Sequence, residues 1–278
     1  MYSLHQYNGP KEVHYLFVDG GCLRAEIDQL TAKYCPSHPI ELDYSRLAAP
    51  YSKVFYYGAV PVREAGEAED TYSERTRAQR ELLDRLGNLD RFHVYEGDAR
   101  KRRSKGGMEQ KKVDVLIAVD MLTHTFRRNM HRATLLTGDV DFKPLIDALV
   151  REGMFVNLWY PPKSTSRELT DAADGRVRLD VRSLSELTTQ RFRQLSQIPS
   201  SQFGYARRPD TQPYFSWVDQ HHEECQLFRR GEFHELVARV ESNGNKQILI
   251  THRDIDKVAM YAADAFDLIV PKNVKEAA

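Results

Sequence analysis

The chain has 278 residues, 41% of them hydrophobic, enough for one large domain or two small ones around a sizeable core. Lys plus Arg and Asp plus Glu number 40 each, so overall charge points to no partner and only local clusters can. Three scattered cysteines, Cys22, Cys35 and Cys225, exclude a CxxC pair or a disulfide framework and suit a reducing cytoplasm. The opening residues do not read as a secretory leader, and no run approaches the ~18 apolar residues of a membrane span.

In chain order, Val13 to Asp19 reads as a buried strand, and Leu23, Ile27 and Leu30 give the next stretch, to Tyr34, a helical spacing. Pro36 and Pro39 break it. Lys53 to Val60 is a second strand. Tyr72 to Leu86 is a charged helix with Leu82, Leu83 and Leu86 inward, ended by Gly87. Phe92 to Tyr95 is a short third strand, and Gly97 to Lys112 shows charge and glycine without apolar periodicity. Val113 to Phe126 is a helix with Val113, Leu116, Ile117 and Met121 facing in. A strand over Ala133 to Leu136, a helix from Asp141, a strand over Met154 to Tyr160 closed by Pro161-Pro162, a helix from about Ser166 to Ala173 and a brief Val177 to Val181 segment complete the unit. Strands alternating with helices predict an α/β fold, a parallel sheet flanked by helices.

Composition shifts after Leu187. Residues 1–187 read as one domain and 188–213, rich in Gln, Ser, Arg and Pro, as a linker or arm. Residues 214–278 read as a small, mostly helical accessory module, with helices around Cys225 to Val240 and Asp254 to Ala265. His221 and His222 would lie on different helix faces without a second ligand pair, so solvated surface is favoured over zinc.

The chemistry-bearing feature is a set of acids at strand ends. Thr137-Gly138-Asp139-Val140-Asp141 follows an apolar run, Tyr15 to Val18 ends in Asp19-Gly20-Gly21, and Asp114 opens a helix. Open α/β sheets place ligands at the C-terminal ends of their strands. Carboxylates from three distant segments converging there make a site for a hard cation such as Mg²⁺ or Mn²⁺. Two such ions hold the attacking and leaving oxygens of a phosphodiester in line. Asp19, Asp114, Asp139 and Asp141 are therefore candidate catalytic and metal-binding residues, with Asp120 supporting them from behind. The bland reading is that each is a helix cap or turn former. Asp147, Asp171 and Asp174 are assigned structural or exposed roles.

These segments resemble the NYN domain family, a branch of the PIN-like nucleases. The match runs through Phe17-Val18-Asp19-Gly20, Lys112-Val113-Asp114-Val115 with Asp120 after it, and Leu136 to Leu145, followed by Gly153, Val156, Leu169 and Ala172-Ala173-Asp174. The resemblance covers about residues 13–181. It implies a Rossmann-like PIN fold, a divalent-metal site built from the acids, and RNA, single-stranded or structured, as substrate. The chain carries Cys22 where family members often carry Asn two residues after the first glycine.

Arg100, Lys101, Arg102, Arg103 and Lys105, followed by Lys111 and Lys112, form the densest basic run and lead into Asp114, a placement that suits holding an RNA backbone. Arg127, Arg128, His131 and Arg132 are read as complementing a helix C-terminus. Arg207-Arg208 beside Phe203 and Tyr205 is a weak nucleic-acid signal, and Ser164 or Ser166 reads as a cap. A metal-dependent ribonuclease is the leading expectation. An RNA-binding scaffold that cleaves weakly, and an Asp-nucleophile phosphatase, are the alternatives. A homo-oligomer or protein partner, bound through residues 214–278, is left open.

Overall fold

The computed structural model describes residues 12–101, 108–109, 113–204, 212–240 and 246–274, with the side chains of 98–101, 108–109 and 195 left out of the description. The chain divides into two compact units. The first is made of residues up to Glu26 with Asp43–Leu179, the second of Ile27–Leu42 with residues from Asp180 onward.

The first unit is the expected α/β fold. Its parallel strands are β1 (His14–Asp19), β2 (Lys53–Pro61), β3 (Phe92–Lys101), β5 (Arg132–Leu136), β6 (Phe155–Tyr160) and β7 (Gly175–Arg178), and a short antiparallel β4 (Met108–Glu109) pairs with the end of β3. The spatial order is β4-β3-β2-β1-β5-β6-β7. The chain thus builds outward from β1 in one direction through β2 and β3, then starts again beside β1 with β5. The gap between the C-terminal ends of β1 and β5 is the topological switch point, where open sheets leave a crevice for ligands.

β1 is central, and its five residues after His14 are all buried. A strand covered on both faces reads as a continuous apolar run, as Tyr15-Leu16-Phe17-Val18 does. On one face Phe17, Phe55 and Leu135 pack against Val113, Ile117 and Met121 of α4 (Val113–Phe126) and against Leu145, Ile146 and Leu149 of α5 (Lys143–Arg151). Their spacing of three and four residues puts each helix's apolar stripe on the sheet. Each fully buried Leu, Ile or Phe contributes about 1.5–3 kcal/mol. α1 (Gly20–Tyr34) starts directly from β1, and α3 (Glu69–Gly87) packs on β2 and β3.

Two glycines fix where the site's helices begin. A Cβ on Gly20 would stand 2.7 Å from the Tyr57 carbonyl oxygen and 2.8 Å from the Tyr56 ring, so only glycine lets α1 start this close to β2. A Cβ on Gly97 would stand 2.5 Å from Val113 Cγ2, so α4 begins pressed onto β3. Gly20→Ala is expected to cost about 1–3 kcal/mol in urea unfolding, because the facing carbonyl is backbone and cannot swing aside. Gly87→Ala, with nothing within 4 Å of the new methyl, is the control and should unfold at or slightly above the wild-type midpoint.

The second unit corrects the expectation of a mostly helical C-terminal module. It holds a five-stranded antiparallel sheet in the order β8-β12-β11-β10-β9, made of β8 (Ser200–Phe203), β9 (Phe215–Val218), β10 (Glu224–Arg230), β11 (Phe233–Val240) and β12 (Lys246–His252). The span from Cys225 to Val240, expected as a helix, is a hairpin. Arg230 pairs with Phe233 across a two-residue loop opened by Gly231 at φ +60, a conformation such turns demand and glycine supplies. Residues 190–203, expected as an arm, include α8 (Gln190–Leu195) and β8. His221 and His222 lie in the turn before β10, where Asp219 Oδ1 accepts the His221 and Glu223 amides at 2.8 and 2.9 Å. α9 (Ile255–Phe266) carries a buried carboxylate, Asp264, paired with Lys33 and accepting the Tyr34 hydroxyl at 2.7 Å. Among the described residues no helix is long and apolar enough to cross a membrane.

Candidate active site

The four acids come to the switch-point edge from β1, α4 and the loop after β5. Asp19, the last residue of β1, is 8% exposed. Its Oδ1 accepts the amides of Gly21 and Cys22 at 3.0 and 3.1 Å, the first turn of α1, and its Oδ2 accepts the Thr137 hydroxyl at 3.1 Å. These donors offset part of the desolvation. Burial still dominates, and with the Asp139 charge added it holds the Asp19 carboxyl above the ordinary carboxylate range.

Thr137 also ties the loop together. Its hydroxyl oxygen accepts the Asp139 amide at 3.2 Å while donating to Asp19. Asp139 caps the short 3₁₀ turn Val140–Phe142, its Oδ1 accepting the Asp141 amide at 3.0 Å. The expected helix start at Asp141 is this 3₁₀ turn, and α5 follows from Lys143. The capping reading of Asp139 is therefore correct for one of its oxygens. Asp139 and Asp141 are both exposed.

Asp114 stands in the first turn of α4. The residue is exposed, while its carboxyl is partly shielded by the protein. That shielding first, then the charges of Asp19, Asp139 and Asp141, push it up to about 6. All four acids thus share one electrostatic field. They do not form a closed cage: among the described residues no three His, Cys, Asp or Glu side chains stand together so as to hold a metal ion. Asp19 and Asp139 each have an oxygen turned onto backbone amides, and the exposed Asp114, Asp139 and Asp141 side chains are of the kind that change rotamer in picoseconds to nanoseconds.

Cys22 lies beside this cluster, one residue into the turn that holds Asp19. Burial pushes its thiol up to about 12, the Asp19 charge adds to this, and a backbone hydrogen bond from Gly138 opposes it. A thiol so protonated is no nucleophile. Cys35 and Cys225 are buried, with burial raising both thiols, Cys225 to about 12. In an iodoacetamide time course at pH 8, the native protein is expected to label slowly at all three thiols and the urea-unfolded protein quickly. Rapid native labelling of Cys22 would contradict the desolvated thiol.

Asp120 is not among the charges acting on Asp114. It lies further along α4, where its Oδ2 accepts the Tyr57 hydroxyl at 2.7 Å. Tyr57 pairs in register with Asp19, so Asp120 steadies the strand next to Asp19. The structural assignments of the other acids agree with their contacts. Asp147 pairs with Lys143, Asp171 with Arg167 and Arg176, and Asp174 accepts the Val156 amide. Ser166 caps α6 (Arg167–Ala172). Arg100 and Lys101 end β3, their side chains undescribed, and Arg102, Arg103, Lys105, Lys111 and Lys112 lie outside the described residues, as do Tyr205, Arg207 and Arg208. Sequence reasoning missed Thr137 and Tyr57. The signal for Thr137 was its place between the end of β5 and Gly138-Asp139, and for Tyr57 the alternation that puts it on the same face as Phe55.

A family model described as the NYN domain matches residues 16–180. No curated protein matches the chain. Among solved structures the chain is similar to a protein of unknown function from Vibrio parahaemolyticus, 21% identical, with 65% of this chain and 98% of that chain covered and a TM-score of 0.43. With the family match spanning more than half of its length, the chain belongs to the NYN domain family, a PIN-like nuclease family.

Proposed function

We propose that the first unit is a metal-dependent ribonuclease whose site is Asp19, Asp114, Asp139 and Asp141. The observation that carries this is the gathering of four acids at the switch point, where shielding by the protein first, and then the charges of Asp19, Asp139 and Asp141, push the Asp114 carboxyl up to about 6. Negative charge held together at such a cost is relieved by a cation, and an all-carboxylate donor set suits Mg²⁺ or Mn²⁺. A divalent ion there would supply water activation and neutralise charge on the scissile phosphate. The chain's own part is placement. Thr137 and the Gly21 and Cys22 amides fix the buried Asp19 carboxylate, and α4 brings in Asp114. The 3₁₀ turn presents Asp139 and Asp141 on the opposite side of the crevice from β2. RNA as the substrate and a cytoplasmic location belong to the same reading, the location consistent with three free thiols.

Cys22 favours a second reading, a scaffold that binds RNA and cuts it weakly, because a neutral thiol offers no amide to a substrate or to a metal-bound water. The test is cleavage of end-labelled single-stranded RNA with Mn²⁺, Mg²⁺ or EDTA. Cleavage that needs the ion supports the nuclease. Binding without cleavage under every condition supports the scaffold.

A further inference from the structure

A ladder of parallel aromatic rings crosses the α4 face of the sheet and, among the described residues, ends at β3. Phe17 on β1 stacks on Phe55 of β2 at 4.9 Å and 9°, and Phe55 stacks on His93 of β3 at 5.1 Å and 22°. One rung further along, Tyr57 stacks on Tyr95 at 5.1 Å and 13°. These separations match the spacing of neighbouring strands, about 4.8 Å, so each ring occupies one strand's width. β4 pairs with β3 only at Arg100 and Lys101. Over Phe92–Glu96 no strand among the described residues flanks β3 on its outer side. Tyr95 is 36% exposed and His93 is exposed.

Register ties this edge to the acids. Asp19 pairs with Tyr57 and Tyr57 with Tyr95, so Asp19 and Tyr95 stand in one row, two strands or about 10 Å apart. Asp19 and Phe17 are two residues apart and share a face, the face of the ladder. His93 and Tyr95 are also two residues apart, about 6.6 Å along β3.

We propose that Tyr95 and His93 stack two consecutive bases of a single-stranded RNA whose backbone leads to the acidic site, a proposal that rests on the nuclease reading above. Every base has a π-face, so such a platform holds a strand without demanding a sequence. The rings are flat and backed by a second ring, so little conformational freedom is lost on binding. Burial and the Lys53 charge hold the His93 imidazole below its usual range, which favours the neutral ring. Lys53 itself, 5.9 Å from the Tyr15 ring centroid, offers a cation beside the platform for a phosphate. The nearby Asp120 carboxylate is directed to the Tyr57 hydroxyl.

The test is anisotropy of a fluorescein-labelled single-stranded RNA of about ten nucleotides, with the full chain in EDTA, beside the same strand carrying abasic sugars. Tyr95→Ala is expected to weaken binding of the base-bearing strand about tenfold, with His93→Ala in the same direction and Tyr95→Phe binding as wild type. On the abasic strand wild type and Tyr95→Ala should bind alike. Tyr95→Leu, which keeps apolar cover over Tyr57, serves if the alanine variant melts early, and should bind as weakly. Three results overturn the proposal: equal affinity of wild type and Tyr95→Ala, the same loss on the abasic strand, or no RNA binding by the wild type. Binding through Tyr95 without cleavage in Mn²⁺ would refute the nuclease reading and leave the platform standing. Cleavage with binding indifferent to Tyr95 would do the reverse.

Discussion

Asp139→Asn is expected to fold normally and to cut RNA at least about 100-fold more slowly. The change is a near-isostere. Asn caps as well as Asp, so the 3.0 Å bond from the Asp141 amide survives and the 3₁₀ turn keeps its shape. What disappears is one of the charges shared with Asp19 and Asp114. Groups that merely orient a metal ligand cost 10- to 100-fold when removed, so a direct ligand should cost about 100-fold or more. Asp147→Asn, whose partner is Lys143 on its own helix, is the control and should cleave at the wild-type rate. The measurement is single-turnover cleavage with saturating Mn²⁺ beside a thermal melt. An Asp139→Asn protein that melts normally and cleaves at a rate comparable to wild type would remove Asp139 from the site.

Asp114→Asn should give a second large effect, of opposite sign for stability and activity. Its folded carboxyl titrates near 6 against an ordinary value of 3.8. A raised carboxyl stabilises the fold when protonated. That contribution is complete below pH 3.8 and lost as pH rises through about 6. At pH 7 in EDTA the wild type therefore carries a partly desolvated charge, repelled in addition by Asp19, Asp139 and Asp141, that the Asn variant lacks. Solvent screening of this exposed group reduces the effect to the order of 1 kcal/mol, so the variant should melt about 2–4 °C higher. The difference should vanish near pH 4, where wild-type Asp114 is protonated. Added Mn²⁺ should reverse the order, because an ion that binds only the folded wild type stabilises it by mass action. A variant that melts at or below wild type at pH 7 in EDTA would mean that the Asp114 carboxyl is not raised in the folded protein.

The first unit was legible in the sequence because its signals are local and redundant. β1 is an apolar run ending in an acid, β5 is a mostly apolar run with its acids in the loop that follows, and α4 and α5 carry inward residues at helical spacing. The acids could be named because each ends or begins such an element. What single residues could not show was the mode of holding: that Asp19 is buried and bound by Thr137, or that Asp139 spends one oxygen on its own turn. Asp120 was placed behind the site by sequence distance, and its bond to Tyr57 depends on a pairing register that no local pattern reports. The second unit was misread where apolar residues admit two periods. Cys225, Leu227, Leu236 and Ala238 fit a strand alternation as well as a broken helix, and the deciding clue was Gly231-Glu232, a two-residue hairpin loop. Residues 190–203 looked unstructured because β8 alternates exposed and half-buried positions at a sheet edge, leaving little apolar signal.

The pairing of β1 with β5 also constrains how the protein is made. Thr137 donates to Asp19 across 118 residues of sequence. At about 5–20 residues per second of synthesis, β1 leaves the ribosome several seconds or more before the strand that completes its pairing. During that interval its Leu-Phe-Val run has one bare edge, the kind of surface that attracts other nascent chains. Closure of that long loop is a slow, non-local step, and it is the same step that brings Thr137 to Asp19. Assembly of the acidic crevice and completion of the fold are therefore one event, and a chain interrupted before Leu136 would carry the hazard of β1 without the chemistry.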